Sequence, residues 1–104
     1  MDIIKSGGYK ISALDVERRL LSHHMIAEVA VVGLQDITWG QRVTAIVTLK
    51  PGQRLTLGEL RDWGKDKLPS YQIPTQLKVI EEIPRNAMGK VNKKQLVSQL
   101  FGID

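Results

Sequence analysis

The sequence contains no cysteine, few aromatic residues and no long apolar run. Without cysteine, the chain cannot form disulfide bonds, thiolate metal sites or a cysteine nucleophile. No apolar stretch approaches the ~20 residues that a membrane-spanning helix needs. Aromatic residues make up only 5% of the chain, so a surface on which successive nucleotide bases could stack is poorly supplied.

What is present fits one small globular domain. The chain has 104 residues, of which 42% are hydrophobic, and this is enough for a modest core without covalent staples. Fifteen Lys and Arg residues against eleven Asp and Glu give a formal net charge of +4. The charge leaves two classes open, a nucleic-acid-binding module and a soluble domain with basic edges. A plain protein-interaction domain, whose exposed loops contact only another protein, is a further alternative.

Alternating strand and helix signals predict an α+β fold. A Gly-Gly pair between two short apolar segments predicts an N-terminal hairpin over residues 3–11. The predicted helices begin at N-cap residues, and these are Ser12, Thr56 and Asn92. The predicted core strands are 29–32, 42–49 and 77–80. We therefore expect a small N-terminal hairpin plus a central three-stranded sheet covered by helices.

The first loop with chemistry beyond what folding needs is Ser6-Gly7-Gly8-Tyr9. Paired glycines adopt positive φ and allow a ligand to approach the backbone closely, because no Cβ intervenes. A lone Gly-Gly pair is more often an ordinary hairpin turn. The residues by themselves leave both interpretations open.

The second such loop spans residues 84–91 and places Lys90 directly after Gly89. A Walker-type phosphate loop needs a glycine five residues before the Gly-Lys pair and Ser or Thr after it. Pro84 and Val91 occupy those positions, so this motif is excluded. A loop lysine considered alone is usually a solvated surface charge.

Taken together, the two loops resemble motifs of the adenylate-forming acyl-CoA synthetases. Residues 2–17 resemble the motif that follows the hinge in this family, and residues 84–91 resemble its C-terminal motif, which carries the adenylation lysine. The likeness continues through the intervening chain, at residues 28–33, 39–43 and 68–74. Within the family it favours the mitochondrial members that activate malonate.

The resemblance implies that residues 1–104 form the C-terminal lid domain of an acid–CoA ligase. Such an enzyme uses ATP with Mg²⁺ to join a carboxylate to AMP, releasing pyrophosphate. The thiol of coenzyme A then displaces AMP. The lid's partner is a larger N-terminal domain that binds ATP and the acid, so we expect these 104 residues alone to fold without catalysing the reaction. The resemblance further implies a mitochondrial matrix location, or otherwise a cytoplasmic one.

The same resemblance assigns a catalytic lysine, a supporting glycine and a hinge residue. Lys90 would stabilise negative charge on carboxylate and phosphate oxygens during adenylation, a role that suits a compact ammonium on a flexible stem. Gly89 would leave room for this loop to enter the active site. Asp2 lies at or next to the position of the family's hinge residue.

The resemblance also assigns four residues to a coenzyme A channel: Gly7, Gly8, Trp39 and Tyr71. Packing is an equal alternative for the two aromatic residues, since aromatic side chains bury large areas. Many relatives carry a basic residue after the tyrosine, whereas this chain has Gln72-Ile73. Which cation would contact the phosphates of coenzyme A is therefore open, and the candidates are Lys5, Lys10 and Arg42.

The remaining charged candidates have simpler interpretations. His23 and His24 lack a partner at metal-ligand spacing, so no metal site is predicted, and we expect them to end the first helix with charge that suits its dipole. Lys93 and Lys94 fall in the first turn of the last helix, where we expect solvated charges.

Overall fold

The computed structural model describes residues 2–102, and its elements follow the predicted order. They are β1 (Ile3–Ser6), β2 (Tyr9–Ser12), α1 (Ala13–Leu20), β3 (Ile26–Asp36), β4 (Gly40–Leu49), α2 (Leu57–Gly64), a 3₁₀ turn (Ser70–Gln72), β5 (Gln76–Val79) and α3 (Lys93–Phe101). Within the described residues, no helix has the length and apolar character required to cross a membrane. The α+β class is confirmed.

The strands form one five-stranded sheet, so the expected three-stranded sheet with a separate hairpin is wrong. β1 pairs antiparallel with β2 and, through Ser6 and Gly40, with the start of β4. β3 and β4 form a long antiparallel hairpin, and β5 adds parallel to β4. Gly33 of β3 allows the N-terminal hairpin to pack closely, because a Cβ there would lie 3.0 Å from the Ile4 side chain.

All three predicted N-caps are confirmed. The Ser12 hydroxyl accepts a hydrogen bond from the amide of Asp15, and the Asn92 side chain accepts one from the amide of Gln95. Thr56 forms a reciprocal capping box with the residue three positions later. These caps fix where each helix starts. The cap of α3, Asn92, directly follows the 84–91 loop and therefore also fixes the position of the loop's last residue.

The core lies on both faces of the sheet, because alternate residues of each strand point to opposite sides. Val31 of β3 belongs to the cluster that includes residues of α1 and α2, whereas Ala30 belongs to the cluster that includes Leu96 of α3. Trp63 of α2 packs against the first cluster. The loop with Lys90 and the turn with Gly7 are therefore both attached to a rigid sheet.

Candidate functional site

Lys90 lies on an exposed loop between β5 and α3, and the Asn86 side chain holds much of the loop's backbone. The Asn86 carboxamide oxygen accepts hydrogen bonds from the amides of Met88 at 2.9 Å and Lys90 at 3.0 Å. The Asn86 amide donates to the Lys90 carbonyl at 2.9 Å. Gly89 has φ +79°, a left-handed conformation that favours glycine. The loop thus has a defined shape, while the Lys90 ammonium makes no hydrogen bond or ion pair within residues 2–102.

Both ends of this loop are tied to the body of the domain. At the first end, Arg85 pairs with Glu28 of β3 at 3.3 Å and donates to the Gly89 carbonyl at 3.0 Å. At the second end, Lys93 pairs with Glu17 at 2.7 Å, and its side chain is only 25% exposed. The expectation of a solvated Lys93 was wrong, because its partners come from distant parts of the chain.

Asp2 also meets this second end. Its carboxylate pairs with Lys93, and its carbonyl accepts a hydrogen bond from the amide of Ala13 at 3.0 Å. The residue at the expected hinge position is therefore connected to the first turn of the helix that follows Lys90. In residues 2–102, no three or more His, Cys, Asp or Glu side chains come together in a way that could hold a metal ion.

A second site is a cavity of about 340 Å³ beside the turn between β1 and β2. It brings together Gly7, Trp39 and Tyr71, three of the four residues assigned to the coenzyme A channel. Gly8 does not line it; a Cβ built on Gly8 would meet no atom within 4 Å.

Trp39 is held at the cavity by its backbone. Its carbonyl accepts a hydrogen bond from the amide of Gly7 at 2.9 Å. Its own amide donates to a carboxylate oxygen of Asp36 at 2.9 Å, which closes the turn between β3 and β4. Trp39 remains 55% exposed, so much of its surface is open to a ligand.

Tyr71 stacks on a residue that sequence reasoning missed as a site residue, Tyr9. The two rings lie nearly parallel, with centroids 3.9 Å apart and an interplanar angle of 5°. Both side chains are partly exposed, at 50% for Tyr9 and 38% for Tyr71. The available signal for Tyr9 was its place immediately after the Gly-Gly pair.

Two arginines line the cavity, and they hydrogen-bond only to uncharged oxygens. Arg42 donates to the Thr75 carbonyl at 3.0 Å and to the Thr75 hydroxyl at 3.3 Å. Arg61 donates to the Pro74 carbonyl at 2.8 Å. Neither guanidinium has a carboxylate partner within residues 2–102. Arg61 gave no sequence signal, because it looks like an ordinary charge on a helix surface.

Of the three candidate cations, only Arg42 lines the cavity; Lys5 and Lys10 do not. The cavity therefore combines a glycine backbone, exposed aromatic rings and cations without acidic partners. Such a combination suits an anionic ligand with an apolar or aromatic part.

The histidine pair lies outside both sites and differs from expectation. α1 ends at Leu20, and His23 is buried, with its Nδ1 accepting a hydrogen bond from the amide of Met25 at 3.1 Å. Burial lowers the pKa of His23, and the neighbouring His24 lowers it further, against an opposing effect of Glu59. The prediction that His23 contributes a charge to the helix end was therefore wrong.

Comparison with known proteins identifies the domain. The family described as AMP-binding enzyme C-terminal domain matches residues 15–90. The mitochondrial malonate–CoA ligase ACSF3 of Bos taurus is 59% identical over 101 residues, covering 97% of this chain and 17% of that protein.

Two solved structures share the fold. An acyl-CoA synthetase of Brucella canis superposes with a TM-score of 0.86 at 37% identity, over 91% of this chain and 18% of that one. The o-succinylbenzoate CoA synthetase MenE of Bacillus subtilis, in complex with its acyl-adenylate intermediate, gives 0.84 at 40% identity, over 91% of this chain and 19% of that one. The chain thus spans less than a fifth of the length of these proteins, and it belongs to the C-terminal domain family of AMP-binding enzymes.

Proposed function

We propose that this chain is the lid domain of an ATP-dependent acid–CoA ligase and that Lys90 acts in its adenylation step. In that step a carboxylate oxygen attacks the α-phosphate of ATP, an acyl-adenylate forms and pyrophosphate leaves. In the next step the coenzyme A thiol attacks the acyl carbon, a thioester forms and AMP leaves. The observation that carries the proposal is the unpaired Lys90 ammonium on a loop whose backbone is fixed by Asn86.

The chemistry of adenylation suits this arrangement. Negative charge gathers on the carboxylate and phosphate oxygens as the new bond forms, and a positioned cation there lowers the barrier. Because the Lys90 ammonium has no partner to leave within residues 2–102, it can reach an anion without breaking an ion pair. The positive φ of Gly89 gives the loop its turn.

The cavity beside Gly7 is the proposed site for part of coenzyme A during the second step. The missing Cβ at Gly7 lets the Trp39 indole pack directly against the turn. Trp39 and Tyr71 then offer exposed apolar surface to the narrow pantetheine arm. Gly8 lies on the open outer side of the same turn. We assign Gly8 to the side of the channel that faces the N-terminal domain.

Partners and substrates follow from the relatives. The proposed partner is an N-terminal domain that binds ATP and the acid, and Asp2 is the proposed hinge residue. We assign the Mg²⁺ ion that accompanies ATP to the same partner domain. The 59% identity to a mitochondrial malonate–CoA ligase supports malonate as the acid and the mitochondrial matrix as the location.

The test uses the full-length protein that carries this domain. Lys90→Ala is expected to slow adenylation, followed by ATP–pyrophosphate exchange, by at least ~10²-fold, the usual effect of losing one preorganised donor at a developing anion. Thioester formation from preformed acyl-adenylate and coenzyme A should stay near normal. Lys94→Ala, at a neighbouring exposed lysine, is the matched control. Equal slowing of both half-reactions, or an effect no larger than that of Lys94→Ala, would show that Lys90 is an ordinary surface lysine.

A further inference from the structure

Three residues after Lys90, a second lysine is held by three acceptors. The Lys93 ammonium lies 2.7 Å from a carboxylate oxygen of Glu17 and 2.8 Å from the Val31 carbonyl, and it also pairs with Asp2. Its side chain is 25% exposed, whereas neighbouring Lys94 is exposed. Lys93 therefore links the start of α3 to α1, β3 and Asp2, and it is not a solvated surface charge.

The acceptors are themselves fixed. The Glu17 carboxylate oxygen that meets Lys93 also accepts a hydrogen bond from the Val31 amide at 2.8 Å, and the Glu17 side chain is only 15% exposed. The carboxylate is thus oriented by the backbone of β3 before Lys93 arrives. A charged pair with such additional hydrogen bonds has a defined geometry, unlike a flexible exposed pair.

This junction lies at one end of the loop that carries Lys90. α3 begins at Lys93, immediately after its cap Asn92, so only two residues separate Lys90 from Lys93. The other end of the loop is held by Arg85 on Glu28. The position of the Lys90 tip relative to the sheet is therefore set by two anchors, and Lys93 is the less exposed of them.

We propose that Lys93 is a positioning residue for Lys90. It holds the start of α3 against Glu17 and Asp2, and so presents Lys90 at a constant place relative to the sheet and to the hinge end of the lid. Preorganisation of this kind matters because a misplacement of about 1 Å can slow a reaction ~10²-fold. The inference rests on the proposed function of Lys90.

A purely structural role and a positioning role predict different results. If Lys93 only stabilised the fold, its loss would slow both half-reactions equally. Leu96, which is 3% exposed, packs α3 into the second core cluster, and Lys93 is not part of that cluster. Loss of the ammonium should therefore loosen the first turn of α3 and the loop before it, while the helix stays docked. The adenylation half-reaction should respond, and the half-reaction that does not use Lys90 should not.

The test again uses the full-length protein and measures the two half-reactions separately. Lys93→Met keeps the apolar stem and removes the charge; we expect adenylation to slow about tenfold in kcat with little change in KM, less than full loss of a positioned group would give. Thioester formation from preformed acyl-adenylate should be unchanged. Lys93→Arg should restore most of the adenylation rate, since guanidinium also pairs with carboxylates.

Glu17→Gln guards against a folding defect, because the amide oxygen can still accept from the Val31 amide while the ion pair is lost. It should reproduce the selective slowing of adenylation, and Lys94→Met should not. Equal slowing of both half-reactions by both variants, or an effect of Lys93→Met no larger than that of Lys94→Met, would overturn the inference. If Lys90→Ala keeps its selective effect in the same assay, only the role of Lys93 is lost. If Lys90→Ala shows none, the proposed function fails and this inference fails with it.

Discussion

Gly7 and Trp39 are joined by a backbone hydrogen bond of 2.9 Å, and they are packed so closely that a Cβ on Gly7 would lie 3.0 Å from the indole ring. This contact sets the ring over the turn between β1 and β2, at the edge of the proposed coenzyme A cavity. Gly8 is different, because its Cβ would meet nothing within 4 Å. Both glycines have positive φ, at +56° and +85°. A side chain at Gly8 therefore tests the channel without displacing Trp39.

Gly8→Leu in the full-length protein should leave adenylation nearly intact and slow thioester formation at least roughly tenfold, equivalent to about 1.4 kcal/mol of barrier. The reason is that the leucine side chain would project into the channel between the lid and the N-terminal domain. Gly8→Ala is the matched control, because it carries the same positive-φ strain with little bulk. If both variants slow both half-reactions alike, backbone strain explains the result and Gly8 has no place in the channel.

The features that the sequence predicts well are local ones. Ser12, Thr56 and Asn92 bond to amides three residues away, so the information that starts each helix lies within one turn. The five-stranded sheet depends instead on the pairing of Ser6 with Gly40 and on the absence of a side chain at Gly33. Those contacts join distant parts of the chain and leave no local pattern.

The residues of the candidate sites also fall into two groups, those that a local sequence pattern indicates and those that only the fold brings together. Lys90 and Gly7 stand in contiguous motifs, so a family resemblance can name them. Arg61 and Lys93 look like ordinary helix charges in the sequence, and only the fold brings Arg61 to the cavity and Lys93 to Glu17. The partners of Lys93 include a residue 91 positions away, which local spacing cannot reveal.

Buried His23 should make the stability of the domain depend on pH. Its pKa is lowered from 6.5, first by burial and then by His24, while Glu59 acts in the opposite direction. Below about pH 6.5 the unfolded chain takes up a proton that the folded domain resists, so the free energy of unfolding falls as the solution is acidified. Above that pH both states are neutral at this position and the full stability is retained.

Urea unfolding of the chain at pH 8 and pH 5.5, followed by circular dichroism, measures this loss. His23→Gln should reduce the difference in the free energy of unfolding between pH 8 and pH 5.5, because the titrating group is gone. This holds whatever the substitution does to stability at pH 8. His24→Gln should reduce the difference less, since burial remains as the larger cause. A pH difference in His23→Gln as large as in the unmodified chain would assign the effect to other groups.

The final prediction concerns Arg42, the one cation among the three sequence candidates that lines the cavity. Its guanidinium is tethered to Thr75 and has no carboxylate partner within residues 2–102. It can therefore donate hydrogen bonds to a phosphate of coenzyme A. This would compensate for the lack of a basic residue directly after Tyr71, where the chain has Gln72-Ile73. A hydrogen bond to a charged group contributes about 1.5–3 kcal/mol, so Arg42→Gln should raise the KM for coenzyme A roughly tenfold or more.

Three thiols of decreasing charge locate the contact in the full-length protein. Pantetheine has no phosphate, so Arg42→Gln should leave its KM unchanged. Dephospho-coenzyme A lacks only the 3′-phosphate. If Arg42→Gln and the unmodified protein have the same KM for this thiol, Arg42 contacts the 3′-phosphate. If Arg42→Gln raises that KM, Arg42 contacts the pyrophosphate. Lys10→Gln, which removes a lysine that does not line the cavity, should change none of the three values. If Arg42→Gln raises the KM for pantetheine as much as for coenzyme A, Arg42 acts only by holding Thr75, and the phosphate contact must be sought at Arg61.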